Sequence, residues 1–267
     1  MASPYPHYAW ATGHFILLLC SMRYLLAWVT FKSSAYEIWY RSAFTGAIVS
    51  YAIVVYKSLG TPQPNAAYFR KALADENFQY FLLALFWWFT KPVSLALIPY
   101  ATFSLFHALT FTRTNIIPRV FPTQPVPGQG EAARAPAHPL AKSIHTWVKA
   151  NYDGAMRSVA WTELVILVRV SLGCLFGIIP FVKFGMKNSF LAPIVFAQFL
   201  RLRYYYSAFT RTVVQNADGL ITNYVDQPSA PPALKQAWGP VRAAITKYGA
   251  SVIEPAQPAA GAAGARR

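Results

Sequence analysis

A chain of 267 residues with 55% hydrophobic and only 12% charged side chains carries about half the charge usual for a soluble domain, and its mean hydropathy is +0.30. Its 24 Lys and Arg against 9 Asp and Glu, a formal charge of +15, suit anionic lipid headgroups. Nucleic acid is set aside, because the arginines are scattered through apolar runs and no recognition-helix or zinc-finger spacing accompanies them.

The N-terminus lacks a positive n-region and a small-residue cleavage site, so the apolar stretch near 11–31 reads as a retained span, interrupted only by Arg23. The stretch near 42–56 is shorter and holds Gly46, Ala47 and Ser50, small residues that allow close packing on another membrane helix. Lys57 to Asn77 reads as a polar connector, opened by the turn signal Gly60-Thr61-Pro62-Gln63-Pro64. Phe78 to Phe111 then carries a single charge, Lys91. One helix over that length would reach on the order of 50 Å, too long for a ~30 Å hydrocarbon core. Proline removes a backbone donor, so a break at Thr90-Lys91-Pro92 and a hairpin over 78–111 are expected.

These elements make an N-terminal membrane half over 1–113. Residues 114–141, rich in proline with Gly128 and Gly130, read as a linker. A C-terminal membrane half over 142–209 follows. It opens with an interfacial helix at 142–152, where Lys142, His145 and Lys149 alternate with Ile144, Trp147, Val148 and Tyr152; docking on protein is the alternative. Apolar segments at 161–182 and 190–209 complete a second hairpin. The basic connector around Arg113, Arg119, Arg134, Lys142, Lys149 and Arg157 places that side, and with it both termini, in the cytosol.

Residues 210–254 read as cytosolic amphipathic helices and 255–267 as disordered, being rich in alanine and proline. Leu234, Trp238, Val241, Ile245, Tyr248 and Val252 recur at steps of four and three, giving one apolar helical face. Lys235, Arg242 and Lys247 lie on other faces, so the stretch is expected either on the membrane surface or packed on the protein itself. Gly239-Pro240 would kink or split it. The whole is an all-α polytopic membrane protein of helical hairpins and interfacial amphipathic helices.

No catalytic constellation assembles around the five histidines: there is no His-x-x-x-x-Asp, no HExxH and no paired Asp box. Cys20 and Cys174 fall in apolar runs and offer neither a disulfide framework nor a metal site. The expectation is of a protein that is not an enzyme and has no cofactor. Of the histidines only His107 reads as intramembrane, in a structural role. Glu163 and Arg169 are too far apart round one helix to pair, so a partner for either must come from another segment.

Two stretches carry recognisable motifs. The first contains Pro92-Val93-Ser94, Pro99 and a Leu-Phe-Ser-x-x-His-Ala-like run with Ser104, Leu105, Phe106, His107 and Ala108. The second carries a Phe-Leu-x-x-Arg-Tyr signature, here Phe199, Leu200, Arg203 and Tyr204, followed by Thr210 and Arg211. In both the chain resembles the transmembrane protein 33 family. The resemblance implies a multi-pass protein of the endoplasmic reticulum and nuclear envelope, with reticulon-type or pore-membrane proteins as partners. It also implies roles in tubule shaping, envelope organisation or nuclear-pore distribution, and no catalytic residues. A small transporter or lipid-handling protein is the competing expectation, and it calls for Glu163, Arg169 and His107 around one aqueous cavity.

Overall fold

The computed structural model describes residues 5–122, 138–178 and 188–250. Among them ten α-helices and no strands occur. Helix α1 (Tyr5–Val29) and helix α2 (Glu37–Leu59) are joined through a 3-10 turn at Ser33–Tyr36 and lie antiparallel in very close contact. A Cβ added at Gly46 would sit 2.5 Å from the carbonyl oxygen of Gly13, and one at Gly13 would sit 2.7 Å from that of Gly46. Only glycine lets the two backbones approach so closely. The Ser50 hydroxyl exploits the gap and donates to the Trp10 carbonyl at 2.9 Å.

Within the connector lies a short helix, α3 (Ala66–Ala74), capped by the Asn65 side chain, which accepts the Tyr68 N–H at 2.7 Å. Asp75 then caps α4 (Glu76–Phe89) by accepting the Phe78 N–H at 3.0 Å. It also accepts the Ser58 hydroxyl at 2.9 Å, which ties the start of α4 to the end of α2. Helix α4 has 14 residues, about 21 Å at 1.5 Å per residue. Extended backbone at Thr90 and Val93 and a 3-10 turn at Ser94–Ala96 lead into α5 (Leu97–Phe111). A π-helical turn at Thr112–Ile116 carries α5 on into α6 (Ile117–Val120).

Helix α7 (Pro139–Ile178) runs 40 residues without a break, and α8 (Leu191–Tyr206), α9 (Ala208–Val225) and α10 (Pro232–Ala250) follow. Among the described residues four helical stretches are long and apolar enough to cross a bilayer: Tyr5–Val29, Ser33–Leu59, Ser94–Val120 and Pro139–Leu175. The core is aromatic, with Tyr40, Phe44, Trp87, Tyr100 and Phe196 fully buried. On the outside Leu19, Met22 and Leu26 of α1 are more than half exposed, which is stable only against lipid.

Several boundaries differ from the sequence reading. Residues 142–152 and the apolar stretch from 161 are one helix, α7, because neither Gly154 nor Arg157 breaks the backbone ladder and no proline follows Pro139 until Pro180. The connector after Lys57 contains α3. The segment 190–209 divides at Ser207, where extended backbone separates α8 from α9. Pro240 sits inside α10, which remains a single helix. Most of the linker, the turn near Lys183–Lys187 and the tail 255–267 lie outside the described residues.

Candidate functional site

The polar residues that the bundle buries fall into separate groups. Glu163 of α7, 1% exposed, accepts a hydrogen bond from the Tyr80 hydroxyl of α4. The Arg203 guanidinium of α8 stands 3.8 Å from the other Glu163 oxygen and 2.8 Å from the Glu76 carboxylate at the head of α4. Arg203 also lies over the Tyr80 ring at 5.3 Å. Three helices are thus joined through one cation, and two carboxylates share its charge. An unpaired ion in so dry a place is costly, which explains why the charges occur together.

This arrangement accounts for much of the second signature. Phe199 and Leu200 enter the core, Phe199 with its ring 5.2 Å from that of Tyr80, while Arg203 holds the ion cluster. Tyr204 lies near the end of α10, where a Cβ added at Gly249 would sit 4.0 Å from its ring. Thr210 and Arg211 belong to the joint between α8 and α9: the Ser207 hydroxyl accepts the Thr210 N–H at 3.3 Å, and Arg211 donates to the Tyr205 carbonyl at 2.6 Å.

The first signature lies on α5 and the link before it. Pro92 is in the extended link, where the Val93 N–H donates to the Tyr40 hydroxyl at 3.3 Å, and Pro99 is buried in the first turn of α5. Ser104 hydrogen-bonds His14 Nδ1 at 2.9 Å. His107 packs its ring on those of His14 at 4.5 Å and Trp10 at 5.2 Å. The expectation of one intramembrane histidine is therefore corrected. His14 is 2% exposed inside α1, and the sequence signal for it was its place in the apolar run, one helical turn before Leu17.

Arg169 donates to Asn188 Oδ1 at 3.3 Å. Glu163, Arg169 and His107 therefore each keep different partners. Among the described residues no group of three His, Cys, Asp or Glu is placed to hold a metal.

The expected surface residues are divided by the structure. Trp147 is 45% exposed and packs its ring, tilted, 5.9 Å from that of Phe106, and Lys149 is exposed. On α10, Leu234 and Trp238 are half-buried, and the Trp238 indole donates to the Thr222 hydroxyl at 3.0 Å. Arg242 donates to Asp218 at 2.6 Å, a contact that raises the proton affinity of the guanidinium above its ordinary value. Arg201 lies over the Tyr248 ring at 5.1 Å. Lys235, Val241, Ile245 and Lys247 are exposed.

The two pairings, 238 with 222 and 242 with 218, make α9 and α10 antiparallel. Val213 is buried at the start of an α9 stripe that continues through Ala217 to the exposed Leu220, Ile221 and Tyr224. At about 100° per residue, this stripe and the Val241, Ile245 and Tyr248 stripe of α10 lie on the same side of the contact line. Reversing the helix direction mirrors the wheel, so the hairpin has one apolar face. Sequence reasoning found the α10 stripe and expected an amphipathic helix before it. It did not find their common orientation, nor Phe69 of α3, 56% exposed beside exposed Arg70 and Lys71.

A helical bundle with four stretches able to cross a bilayer and an ion cluster inside defines an all-α polytopic membrane protein. The chain belongs to the Transmembrane protein 33/Nucleoporin POM33 family, whose model matches residues 2–251. It is 32% identical to "Nucleoporin POM33" of Chaetomium thermophilum, covering 90% of this chain and 85% of that one. It is 31% identical to "Tetra-spanning protein 1" of Schizosaccharomyces pombe, covering 94% and 86%. It is 26% identical to "Pore and endoplasmic reticulum protein of 33 kDa" of Saccharomyces cerevisiae, covering 87% and 86%. No solved structure matches the chain.

Proposed function

We propose that this chain is a non-enzymatic membrane protein of the endoplasmic reticulum and nuclear envelope that supports nuclear-pore and envelope organisation. The observation that carries the reading is the common apolar face of the α9–α10 hairpin. Leu220, Ile221, Tyr224, Val241 and Ile245 are each at least 40% exposed on it. The compartment is supported by the pore and reticulum names of the relatives.

In this account the hairpin rests on the cytosolic leaflet of the bilayer that holds the bundle. Val241, Ile245, Tyr248 and Leu234 are directed at acyl chains, and Lys235, Arg242 and Lys247 remain among headgroups. Trp238 has a double role, with its indole N–H fixing α10 on α9 and its ring edge at the interface. Trp147 and Lys149 occupy the same level on α7. Helices inserted into one leaflet add area to it and favour curvature, which is how such a face could assist tubules or the pore rim, together with reticulon-type or pore-membrane partners.

Imaging a tagged copy expressed at native level tests the reading. Enrichment at the nuclear rim and curved tubules is expected. The Val241→Glu/Ile245→Glu double variant should remain in the reticulum but lose that enrichment, since both positions are exposed and their replacement leaves the core intact. Equal enrichment of the double variant, or a plasma-membrane signal for the wild type, would sink the proposal.

A further inference from the structure

The turn that ends α1 is closed by a residue that backbone sterics disfavour. The Lys32 N–H donates to the Ala27 carbonyl at 2.8 Å and the Phe31 N–H to the Trp28 carbonyl at 3.0 Å, the pair of bonds by which a helix stops on a left-handed residue. Glycine usually fills that position, because a Cβ there crowds the backbone. Here it is Phe31, at φ 59°, and among the described residues no other non-glycine residue has a positive φ. The Thr30 hydroxyl donates to the Leu26 and Ala27 carbonyls, each at 3.1 Å, so the helix end is satisfied without the Phe31 ring.

Burial does not offset this strain, since Phe31 is 96% exposed. A disfavoured conformation kept for a side chain outside the core points to a use outside the fold. Its surroundings identify that use. The stretches on either side, Tyr5–Val29 and Ser33–Leu59, are both long and apolar enough to cross a bilayer, so the turn joining them lies at a bilayer surface. Val29, exposed, continues the lipid-facing wall of Met22 and Leu26 at helical spacing. Trp28, Ile38 and Trp39 are exposed beside it, as is Lys32. Arg23 lies over the Tyr36 ring at 3.9 Å and braces the turn from α1. Exposed aromatic rings beside a lysine at the end of a span suit the border between acyl chains and headgroups.

We propose that the α1–α2 turn is a membrane anchor, in which the left-handed backbone holds the Phe31 ring at the acyl-chain border of the leaflet where this hairpin turns, with Lys32 among the headgroups. The contact uses no residue of the α9–α10 face and stands or falls apart from it.

Fluorine NMR of the full chain in lipid nanodiscs, with trifluoromethyl-phenylalanine at position 31, tests it. Oxygen, which concentrates in lipid, should relax the fluorine several-fold more strongly than aqueous nickel chelate does. Phe31→Gly gives a second readout of opposite signs. It removes the strain, so the midpoint of SDS-induced unfolding should rise. It also removes the anchor, so a Ser34→Cys thiol in a Cys20→Ala/Cys174→Ser background should react several-fold faster with a membrane-impermeant maleimide in nanodiscs. Phe31→Trp, which keeps an interfacial ring, should leave that rate unchanged. A fluorine relaxed more by nickel would leave Phe31 to a partner in water. A Phe31→Gly protein that is less stable, with an unchanged labelling rate, would make the ring a residue of the fold. Either result overturns the proposal.

Discussion

Replacing Arg203 with methionine should destabilise the fold by on the order of 3–5 kcal/mol, because it leaves Glu163 buried and charged without its cation. The midpoint of SDS-induced unfolding in mixed micelles, followed by tryptophan fluorescence, measures it. The cause is the geometry of the cluster: Glu163 is 1% exposed and Arg203 6%, and no other cation contacts that carboxylate among the described residues. Glu76 is 52% exposed, so Glu76→Gln should cost no more than about 1 kcal/mol. Adding Glu163→Gln to Arg203→Met should recover much of the loss, since the neutral amide no longer needs a counter-ion and can still accept from Tyr80. An Arg203→Met protein as stable as wild type would mean that water, not the ion pair, solvates Glu163.

Gly46→Leu should separate α1 from α2 and lower stability by at least the 1–3 kcal/mol typical of overpacking. The first added carbon already falls 2.5 Å from the Gly13 carbonyl oxygen and 3.0 Å from the Leu17 nitrogen. Those are backbone atoms with no rotamer to change, so the helices themselves must move, and the Ser50 to Trp10 hydrogen bond is lost with them. Gly154→Ala provides the opposite sign. Nothing lies within 4 Å of a Cβ there, so removing glycine from the middle of α7 should stabilise by roughly 0.5–1 kcal/mol. The same unfolding assay reads both, and a neutral Gly46→Leu would show that α1 and α2 are not in the contact described.

Some of this architecture is legible in the residues because its causes are local. The proline after Lys91 removes a donor, and the α4–α5 link falls on it. The Gly46 to Ser50 group in a short apolar run marks a tight helix crossing. Membership of the family follows from the signature around Arg203. Other parts have causes that are distant in sequence. Glu163 finds its cation forty positions away, on the next helix α8, and no spacing rule connects them. His14 finds its buried hydrogen-bond partner, Ser104, 90 positions away on α5. Charged residues near 149–157 resemble an element boundary, yet a continuous backbone ladder tolerates them on an exposed face, so α7 runs through. Helix α3 is hidden because nine residues with Arg70 and Lys71 carry too little apolar period, and its cap and the contacts of Ala72 stabilise it.

The hairpin face is tested most directly by electron paramagnetic resonance of the full chain in nanodiscs, with a single spin label at position 245 in a Cys20→Ala/Cys174→Ser background. Oxygen, which concentrates in lipid, should relax the label more strongly than aqueous nickel chelate does, and a label at Lys235 should show the reverse. If position 245 proves as open to nickel as position 235, the α9–α10 face does not rest on the bilayer, and the account of the tail as a membrane-surface element is wrong.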